Sequence, residues 1–306
     1  MTMSKTSSNQ SKRRLTELLD PQFMARLDAL DFVSRKIIRG KIQGERRSKK
    51  RGQSVEFADH RPYVQGDDLR FVDWNIYGRL EQLFLKLFIE EQDLTVHIVL
   101  DLSASMATGD PSKEQFVKRM AAALGYISLV NNNRVTVSSF AEGISGELAH
   151  MRGRPYLSAL AEFLLTRPCE GQSDFDASCR ALTQRRLGTG IMIVLSDFFF
   201  KEGFESGLKR LVSRHYDLYV IQTLSPQEVD PKLSGDLKLV DIEDADMAEI
   251  TASRALLTYY KRNLTAYCNE IKQFSTRRGG AYVLAQTSDS IESLILNYLR
   301  KIQLLS

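Results

Sequence analysis

The sequence predicts an α/β fold built on a doubly wound, mostly parallel β-sheet. From residue 94 onward, short apolar segments of strand length alternate with longer segments whose apolar residues recur at helical spacing. A chain of 306 residues with 43% hydrophobic content can also bury a large core. Its apolar runs fall short of the roughly 18 residues needed to cross a bilayer, so no membrane span is expected.

The first strand and helix of this region carry the clearest signals. Residues 95–100 form an apolar strand. Ser112 and Gln115 then have the spacing of a capping box at the start of a helix over 111–129. The further predicted elements are strands at 134–140, 191–195, 217–224 and 281–284, helices at 156–166, 176–184 and 256–274, and a small β-hairpin insertion at 237–240 and 248–251.

The segment before this α/β domain divides into two parts. Residues 1–14 are rich in Ser and Lys and predict a disordered basic tail. Residues 15–91 predict an N-terminal α+β extension, in which two short helices separated by Asp20-Pro21 precede strand-like segments such as 83–88. The α/β domain then occupies residues 92–306.

The net charge of +4 comes from the N-terminal part of the chain. Residues 1–52 hold 14 Lys or Arg against 5 Asp or Glu, which leaves 28 against 33 in the remainder. A basic arm can bind nucleic acid, but its runs, such as 46–51, lack interleaved aromatic residues and are more often solvated. Nucleic-acid binding is therefore an alternative that the sequence does not favour.

The cysteines and the N terminus bear on the cellular compartment. Cys169, Cys179 and Cys268 are widely spaced and match neither a zinc site nor a disulfide framework. The first residues lack the apolar stretch of a secretory signal. We therefore expect reduced thiols and a cytoplasmic protein.

Polar side chains follow two strands of the predicted sheet. Asp101, Ser103 and Ser105 come directly after the first strand, at the sheet edge where doubly wound folds bind ligands. Asp197 follows a later strand, and Ser173 lies in a loop between the two strands in sequence. Such oxygen donors suit a hard cation such as Mg²⁺. Alternatively, Asp101 caps the following helix and the serines satisfy turn backbone groups, and spacing alone leaves both interpretations open.

Three segments resemble, in order, the loops of the metal-ion-dependent adhesion site of von Willebrand factor A domains: Asp-Leu-Ser-Ala-Ser at 101–105, the Gly-containing loop with Ser173, and Leu-Ser-Asp at 195–197. The resemblance implies a von Willebrand factor A-like, Rossmann-like domain with a divalent cation, Mg²⁺ first and Mn²⁺ or Ca²⁺ as alternatives. It leaves one coordination position for a partner's Asp or Glu. Ser173 replaces the usual threonine, and Phe198 stands where glycine often follows the second aspartate. The implied ligands, acting directly or through water, are Asp101, Ser103, Ser105, Ser173 and Asp197.

A second block, before the α/β domain, interleaves charged and aromatic residues in a way that periodicity does not explain. The block comprises Glu56, Phe57, Arg61, Pro62, Tyr63, Gly66, Asp67, Asp68, Leu69, Arg70, Asp73, Trp74, Arg79, Leu83, Lys86 and Glu90. It resembles the signature of the domain of unknown function numbered fifty-eight, although Ser54 and Gly78 stand where that pattern favours glycine and alanine. The resemblance covers roughly residue 51 to the C terminus and implies a MoxR-type AAA+ ATPase as a partner.

The charges of this block have two interpretations. In the first, three Asp–Arg pairs lock the block onto the α/β domain, with Trp74 as a packing anchor. In the second, some of the charges face outward and form a surface that an ATPase or a client protein recognises. The residues that would pair are Asp67, Asp68 and Asp73 with Arg61, Arg70 and Arg79.

The sequence favours a binding protein over an enzyme. It holds no Gly-rich phosphate loop ending in Lys-Ser/Thr, no dinucleotide fingerprint and no nucleophile elbow. Aspartate-based phosphohydrolases place a second carboxylate two residues after the first, where this chain has Ser103. We predict a non-enzymatic, metal-dependent adaptor that acts with a MoxR-type AAA+ ATPase in the assembly or maturation of protein complexes. The alternatives are a metal-dependent phosphohydrolase and a nucleic-acid binder that uses the basic arm.

Overall fold

The computed structural model describes residues 14–33, 55–90, 94–185, 190–212, 216–243 and 247–306. These residues form two compact units, one that contains residues 55–90 and one that contains all the others. Most of the predicted basic tail, the basic run at 46–51 and the end of the second predicted helix lie outside the described residues. Within the described residues, no helix is both long enough and apolar enough to cross a membrane.

The N-terminal helical segment belongs to the larger unit. Residues 14–18 are helical, and α1 (Pro21–Leu27) begins after Asp20, whose side chain accepts a hydrogen bond from a first-turn amide. Phe23 and Leu27 are buried in the same apolar cluster as the central sheet. The observed unit therefore differs from the predicted N-terminal region, because these apolar side chains pack in the core of the α/β domain.

Residues 55–90 form the smaller unit. Strands β1 (Val55–Pro62) and β2 (Phe84–Glu90) pair antiparallel. Between them lie a 3₁₀ turn (Leu69–Phe71) and helix α2 (Trp74–Leu80). Helix α2 begins after Asp73, whose carboxylate accepts hydrogen bonds from two first-turn amides. The predicted strand near the end of this region is confirmed.

The larger unit is built on a six-stranded sheet. Its strands are β3 (Thr95–Asp101), β4 (Arg134–Phe140), β5 (Ile144–Arg152), β6 (Gly190–Ser196), β7 (Tyr216–Leu224) and β10 (Ala281–Gln286), while β8 (Gly235–Val240) and β9 (Met247–Ala252) form the predicted hairpin. The order is β10–β7–β6–β3–β4–β5, and only the edge strand β5 is antiparallel. The chain therefore starts in the middle of the sheet and proceeds to both sides.

Apolar cores lie on both faces of this sheet. In β6, Ile191, Ile193 and Leu195 enter one apolar cluster, whereas Met192 and Val194 enter the other. Continuous burial of this kind is typical of parallel strands covered on both faces. The predicted doubly wound α/β fold is confirmed.

The helices of this unit after α1 are α3 (Lys113–Val130), α4 (Leu157–Thr166), α5 (Phe175–Gln184), α6 (Glu205–Val212), α7 (Pro226–Val229), α8 (Arg254–Arg277) and α9 (Ile291–Ser293), which continues as a π-helical turn (Leu294–Leu299).

Two elements of the larger unit carry no clear signal in the sequence. Strand β5 lies at the sheet edge, only one of its residues is buried, and its polar and apolar residues are mixed, so it lacks the apolar run of a central strand. Helix α6 has eight residues and contains Gly207, an unfavourable residue inside a helix. A Cβ atom at this glycine would lie 2.5 Å from the ring of Phe175, so close packing requires the glycine.

Candidate metal centre

Asp101 is the last residue of β3 and is completely buried. Its Oδ1 accepts hydrogen bonds from the amide of Ser103 at 3.0 Å and from the hydroxyl of Ser103 at 2.7 Å. Its Oδ2 accepts a hydrogen bond from the Ser196 hydroxyl at 2.6 Å. The Oγ atoms of Ser103 and Ser105 lie 3.1 Å apart. The structure therefore brings these three predicted residues together and adds Ser196.

Asp101 is not the cap of the following helix. Helix α3 begins after Ser112, whose hydroxyl accepts a hydrogen bond from the Gln115 amide at 3.3 Å. The Ser103 amide donates to Asp101 within a local turn, so here the aspartate, and not a serine as the alternative interpretation proposed, satisfies a backbone group of the turn. A turn of this kind is compatible with an exposed carboxylate, so it does not account for the burial of Asp101.

The loop that carries Ser173 is fastened beside the turn after β3. The Ala104 amide donates to the Gly171 carbonyl at 2.9 Å, and the Glu170 amide donates to the Leu102 carbonyl at 3.0 Å. The Oγ of Ser173 is buried and has no hydrogen-bond partner among the residues that the structure describes. A buried, unpaired hydroxyl costs about 1–3 kcal/mol. A cation ligated by this oxygen would offset that cost.

Asp197 directly follows β6 and is only 1% exposed. Its Oδ1 accepts a hydrogen bond from the Phe199 amide at 3.1 Å, and its Oδ2 accepts one from the Lys113 ammonium at 2.7 Å. Burial and then the negative charge of Asp197 raise the pKa of Asp101 well above its usual range, and hydrogen bonds from serine neighbours oppose that shift. The two predicted carboxylates therefore interact electrostatically.

Lys113, the first residue of α3, completes the buried cluster. Its Nζ lies 2.7 Å from Oδ2 of Asp197 and 2.5 Å from Oε1 of Glu228, which belongs to α7. Burial lowers the pKa of Lys113, but the charges of Asp197 and Glu228 raise it above its usual value. The side chain therefore remains an ammonium. No local pattern in the sequence marks Lys113, because these partners are 84 and 115 residues away.

The cluster has more negative than positive charge. Asp197 and Glu228 pair with one ammonium, that of Lys113, and Asp101 interacts with the charge of Asp197, which leaves two negative charges unbalanced when all four groups are ionised. A divalent cation would balance them, and the oxygen donors present are those that Mg²⁺, Mn²⁺ and Ca²⁺ prefer. No group of three or more His, Cys, Asp or Glu within the described residues could hold a metal by itself. A cation would need the serine hydroxyls, and this donor set fits one.

The structure shows how Phe198 is accommodated at the position where the adhesion-site pattern often has glycine. Its φ of 61° lies in the left-handed region, which glycine adopts at lower cost. The buried ring contacts the rings of Phe175 and Phe200, with centroids 5.9 and 5.6 Å away. The Phe198 amide donates to Oγ of Ser196 at 2.8 Å, and its carbonyl accepts a hydrogen bond from the Tyr267 hydroxyl. Aromatic packing and these hydrogen bonds hold the strained turn in place.

In the unit of residues 55–90, two of the predicted charge pairs form. Arg61 donates two hydrogen bonds to Asp67, at 2.8 and 2.7 Å, and the Val64 amide donates a third at 2.9 Å. The pKa of Asp67 is lowered mainly by its bond to Arg61. Arg70 pairs with Asp68 at 2.6 Å. Both pairs connect residues of the same short segment and stabilise its turns.

The third pair differs from the prediction. Asp73 lies 3.0 Å from Nε2 of His60 and 3.3 Å from Nζ of Lys86, rather than pairing with Arg79. As the N-cap of α2, Asp73 faces the two strands that carry these partners. The prediction that Trp74 is a packing anchor is wrong for this unit, because 60% of the residue is exposed.

Solved structures with similar folds share little sequence with this chain. BatB from Bacteroides thetaiotaomicron is 19% identical, with a TM-score of 0.43 over 68% of this chain and 98% of that one. The VWA domain of SpRpn10 is 12% identical, with a TM-score of 0.38 over 68% and 95%. An aerotolerance-related membrane protein from Bacteroides fragilis is 19% identical, with a TM-score of 0.41 over 68% and 99%. The doubly wound, mostly parallel α/β fold itself is shown by the order of this chain's own strands.

The Bacteroides fragilis protein also overturns one expectation. It is a membrane protein by its description, which contradicts the cytoplasmic location expected from the sequence. That expectation was based on a missing apolar leader and missing apolar spans, and neither feature determines where a folded domain resides. We do not retain it.

Relatives in sequence extend over most of the chain. Uncharacterized proteins of Mycobacterium bovis and Mycobacterium tuberculosis are 24% identical over 276 residues, which cover 88% of this chain and 86% of theirs. The family model described as protein of unknown function DUF58 matches residues 59–289. That match includes most of the charged and aromatic block, all strands of the central sheet and every residue of the candidate metal centre. The chain therefore belongs to the DUF58 family.

Proposed function

We propose that this chain is a protein-binding module whose α/β domain holds a divalent cation and uses it to bind a carboxylate of a protein partner. The observation that carries this proposal is the unbalanced, buried carboxylate charge at the carboxyl edge of the sheet, beside an unpaired buried hydroxyl. Mg²⁺ is the first candidate, with Mn²⁺ or Ca²⁺ as alternatives. The proposed ligands are Asp101, Ser103, Ser105, Ser173 and Asp197.

The side chains around the proposed centre are already fixed in place. Ser196 and Ser103 hold the two oxygens of Asp101, and Lys113 holds one oxygen of Asp197. Little side-chain freedom would therefore be lost on binding, which favours affinity. When bound, the cation supplies a positive charge that attracts an anionic ligand.

A partner that offers a carboxylate fits the charge of this cluster. Without a cation, the excess negative charge of the cluster would repel an incoming Asp or Glu. With a divalent cation in place, the cluster is balanced, and the partner's carboxylate can approach. Metal binding and partner binding are therefore expected to depend on each other.

The wider role that we propose is a non-enzymatic adaptor in the assembly or maturation of protein complexes. A MoxR-type AAA+ ATPase is the proposed partner for nucleotide-driven work, because the resemblance of the charged block implies that association. In this role, the chain binds a client through the metal centre and contributes no chemical step.

Mn²⁺ binding tests the metal centre directly. We expect the full chain to bind Mn²⁺ in an electron paramagnetic resonance titration, and the Asp101→Ala, Ser103→Ala double variant to bind at least about tenfold more weakly. Asp28→Ala is a matched control, because Asp28 pairs with Tyr126 and Arg154 away from the cluster. Equal affinity in the wild type and the double variant would refute the metal centre.

Affinity capture tests the adaptor role. The wild type should retain a purified MoxR-type ATPase or a client protein in Mg²⁺, and chelator or the double variant should release the client. Identical partners under all conditions would show that the centre does not bind the client. A panel of phosphorylated substrates with Mg²⁺ or Mn²⁺ addresses catalysis, since turnover abolished by Asp101→Ala would favour the phosphohydrolase instead.

A further inference from the structure

Lys113 occupies a position that helix formation does not explain. It is the first residue of α3, where the positive end of the helix dipole disfavours a cation. It is also 1% exposed, and a buried ammonium is costly unless carboxylates compensate for its lost hydration. A lysine at this position therefore depends on its two carboxylate partners.

One of those partners is a proposed metal ligand and the other is not. Asp197 follows β6 and belongs to the proposed centre, whereas Glu228 lies on α7. Glu228 is itself fixed, since its Oε2 accepts hydrogen bonds from the amide and hydroxyl of Ser225 at 2.7 and 3.0 Å. The Tyr260 hydroxyl donates to the Glu228 carbonyl at 2.7 Å. The ammonium thus lies between a ligand and an anchored second carboxylate.

This arrangement gives the cluster a built-in cation beside the place proposed for a metal ion. The ammonium of Lys113 neutralises part of the charge on Asp197 that would otherwise attract a divalent cation. Glu228 has the opposite effect, because it draws on the same ammonium and leaves more of the Asp197 charge uncompensated. The two residues should therefore shift metal affinity in opposite directions.

We propose that Lys113 and Glu228 form a charge pair that sets the divalent-cation affinity of the centre, with Lys113 lowering it and Glu228 raising it. This inference rests on the proposed metal-binding function. It assigns to both residues a role that does not require either to touch the cation. Lys113 keeps metal binding weak enough to be reversible, and it preserves Asp197 in position when no cation is bound.

Opposite changes in Mn²⁺ affinity in the Lys113 and Glu228 variants distinguish this role from a structural one. Lys113→Met removes the competing charge but keeps most of the apolar stem, so Mn²⁺ affinity should rise by about tenfold. Glu228→Gln leaves the ammonium to Asp197 alone, so affinity should fall by about threefold. Lys113→Arg keeps the charge, so affinity should stay near the wild-type value. A merely structural pair would weaken metal binding in both neutralising variants.

The experiment is a Mn²⁺ titration of the full chain, followed by electron paramagnetic resonance, for the wild type and these three variants. Circular dichroism melting without metal shows which variants are folded. Lys118→Met is the matched control, because Lys118 is also buried and its described partners, Glu114 and the Arg167 carbonyl, lie outside the centre. This control should melt at a lower temperature than the wild type and keep the wild-type affinity.

The outcomes separate the two proposals. Unchanged or weaker affinity in folded Lys113→Met, while Asp101-dependent binding persists in the wild type, overturns the charge-pair role alone. If Lys113→Met does not fold, unchanged or tighter binding by Glu228→Gln overturns it equally. A wild type without Asp101-dependent Mn²⁺ binding defeats the proposed function and this inference together.

Discussion

The charged clusters of the two units differ in burial and in the chain distance that they connect. In residues 55–90, Arg61 and Asp67 are six residues apart, and 37% of the Arg61 side chain is exposed. In the α/β unit, Lys113 and Asp197 are 84 residues apart and almost completely buried. The first kind of pair stabilises local turns in contact with water. The second requires the completed sheet, and each of its charges has lost its hydration.

The balance of charge differs as well. In the smaller unit, Arg61 pairs with Asp67 and Arg70 pairs with Asp68, which favours the structural interpretation for these two pairs. In the larger unit, Asp197 and Glu228 share the Lys113 ammonium, and no salt bridge to Asp101 is present among the described residues, so the cluster retains negative charge. Ions in the solvent screen an exposed charge pair at little cost. Excess negative charge in a buried cluster instead favours binding of a specific cation. A ligand is therefore expected at the buried cluster.

The largest expected effect is on the buried pair. Asp197→Ala breaks a buried ion pair, which costs about 3–5 kcal/mol when the remaining charge is uncompensated, and because Glu228 still pairs with Lys113 we expect about 3 kcal/mol. We expect the free energy of unfolding to fall by that amount in chemical denaturation with chelator present, measured by circular dichroism. Arg70→Ala is the control in the smaller unit, because 77% of the Arg70 side chain is exposed and the substitution keeps Asp68 as the cap of the 3₁₀ turn, so a loss of at most about 1 kcal/mol is expected. Equal effects of the two substitutions would remove the contrast between the clusters.

A second prediction concerns the unbalanced charge. Mg²⁺ at about 100 times its Kd should stabilise the wild type by about 2.7 kcal/mol, because it binds only the folded state. Asp101→Asn should abolish this stabilisation, since it removes both a proposed ligand and one of the excess charges. Thermal unfolding with and without Mg²⁺, at constant ionic strength, measures the difference. The same Mg²⁺-induced shift in Asp101→Asn would locate the cation elsewhere.

The sequence predicts the parts of the molecule that depend on neighbours in the chain. The strand ending at Asp101, the capping signal at Ser112 and the alternation of strands and helices are local patterns, and the structure agrees with them. Asp101, Ser103 and Ser105 are likewise close in sequence, and the structure places their side chains together. Their binding of a metal stays a proposal.

What the sequence does not predict depends on contacts between distant segments. Lys113 is an ordinary helix residue by pattern, and only the folded sheet brings Asp197 and Glu228 to it. Ser196 acquires its role through Asp101, 95 residues earlier. For Trp74 the sequence suggests a contact that is not found. An aromatic residue among charged residues suggests a packing anchor, but Trp74 is exposed. Local pattern therefore identified the metal-site candidates better than the charges that balance them.

The smallest effect is expected in the acid unfolding of residues 55–90. The pKa of Asp73 is lowered to about 2, most strongly by its hydrogen bond to His60 and then by bonds from first-turn amides and Lys86, while burial opposes the shift. The ordinary value in the unfolded chain is about 4. The contribution of Asp73 to stability is therefore complete above pH 4 and is lost as the pH falls toward 2.

Asp73→Asn removes this titration and keeps an N-cap side chain, so it isolates the charge. The variant should be less stable than the wild type at pH 5, and the difference should shrink as the pH approaches 2. Fluorescence of Trp74, the single tryptophan and the neighbour of Asp73 in sequence, can follow the transition. A constant difference between pH 5 and pH 2 would mean that Asp73 acts through its geometry as a cap, and the local charge pairs would then contribute less than their distances suggest.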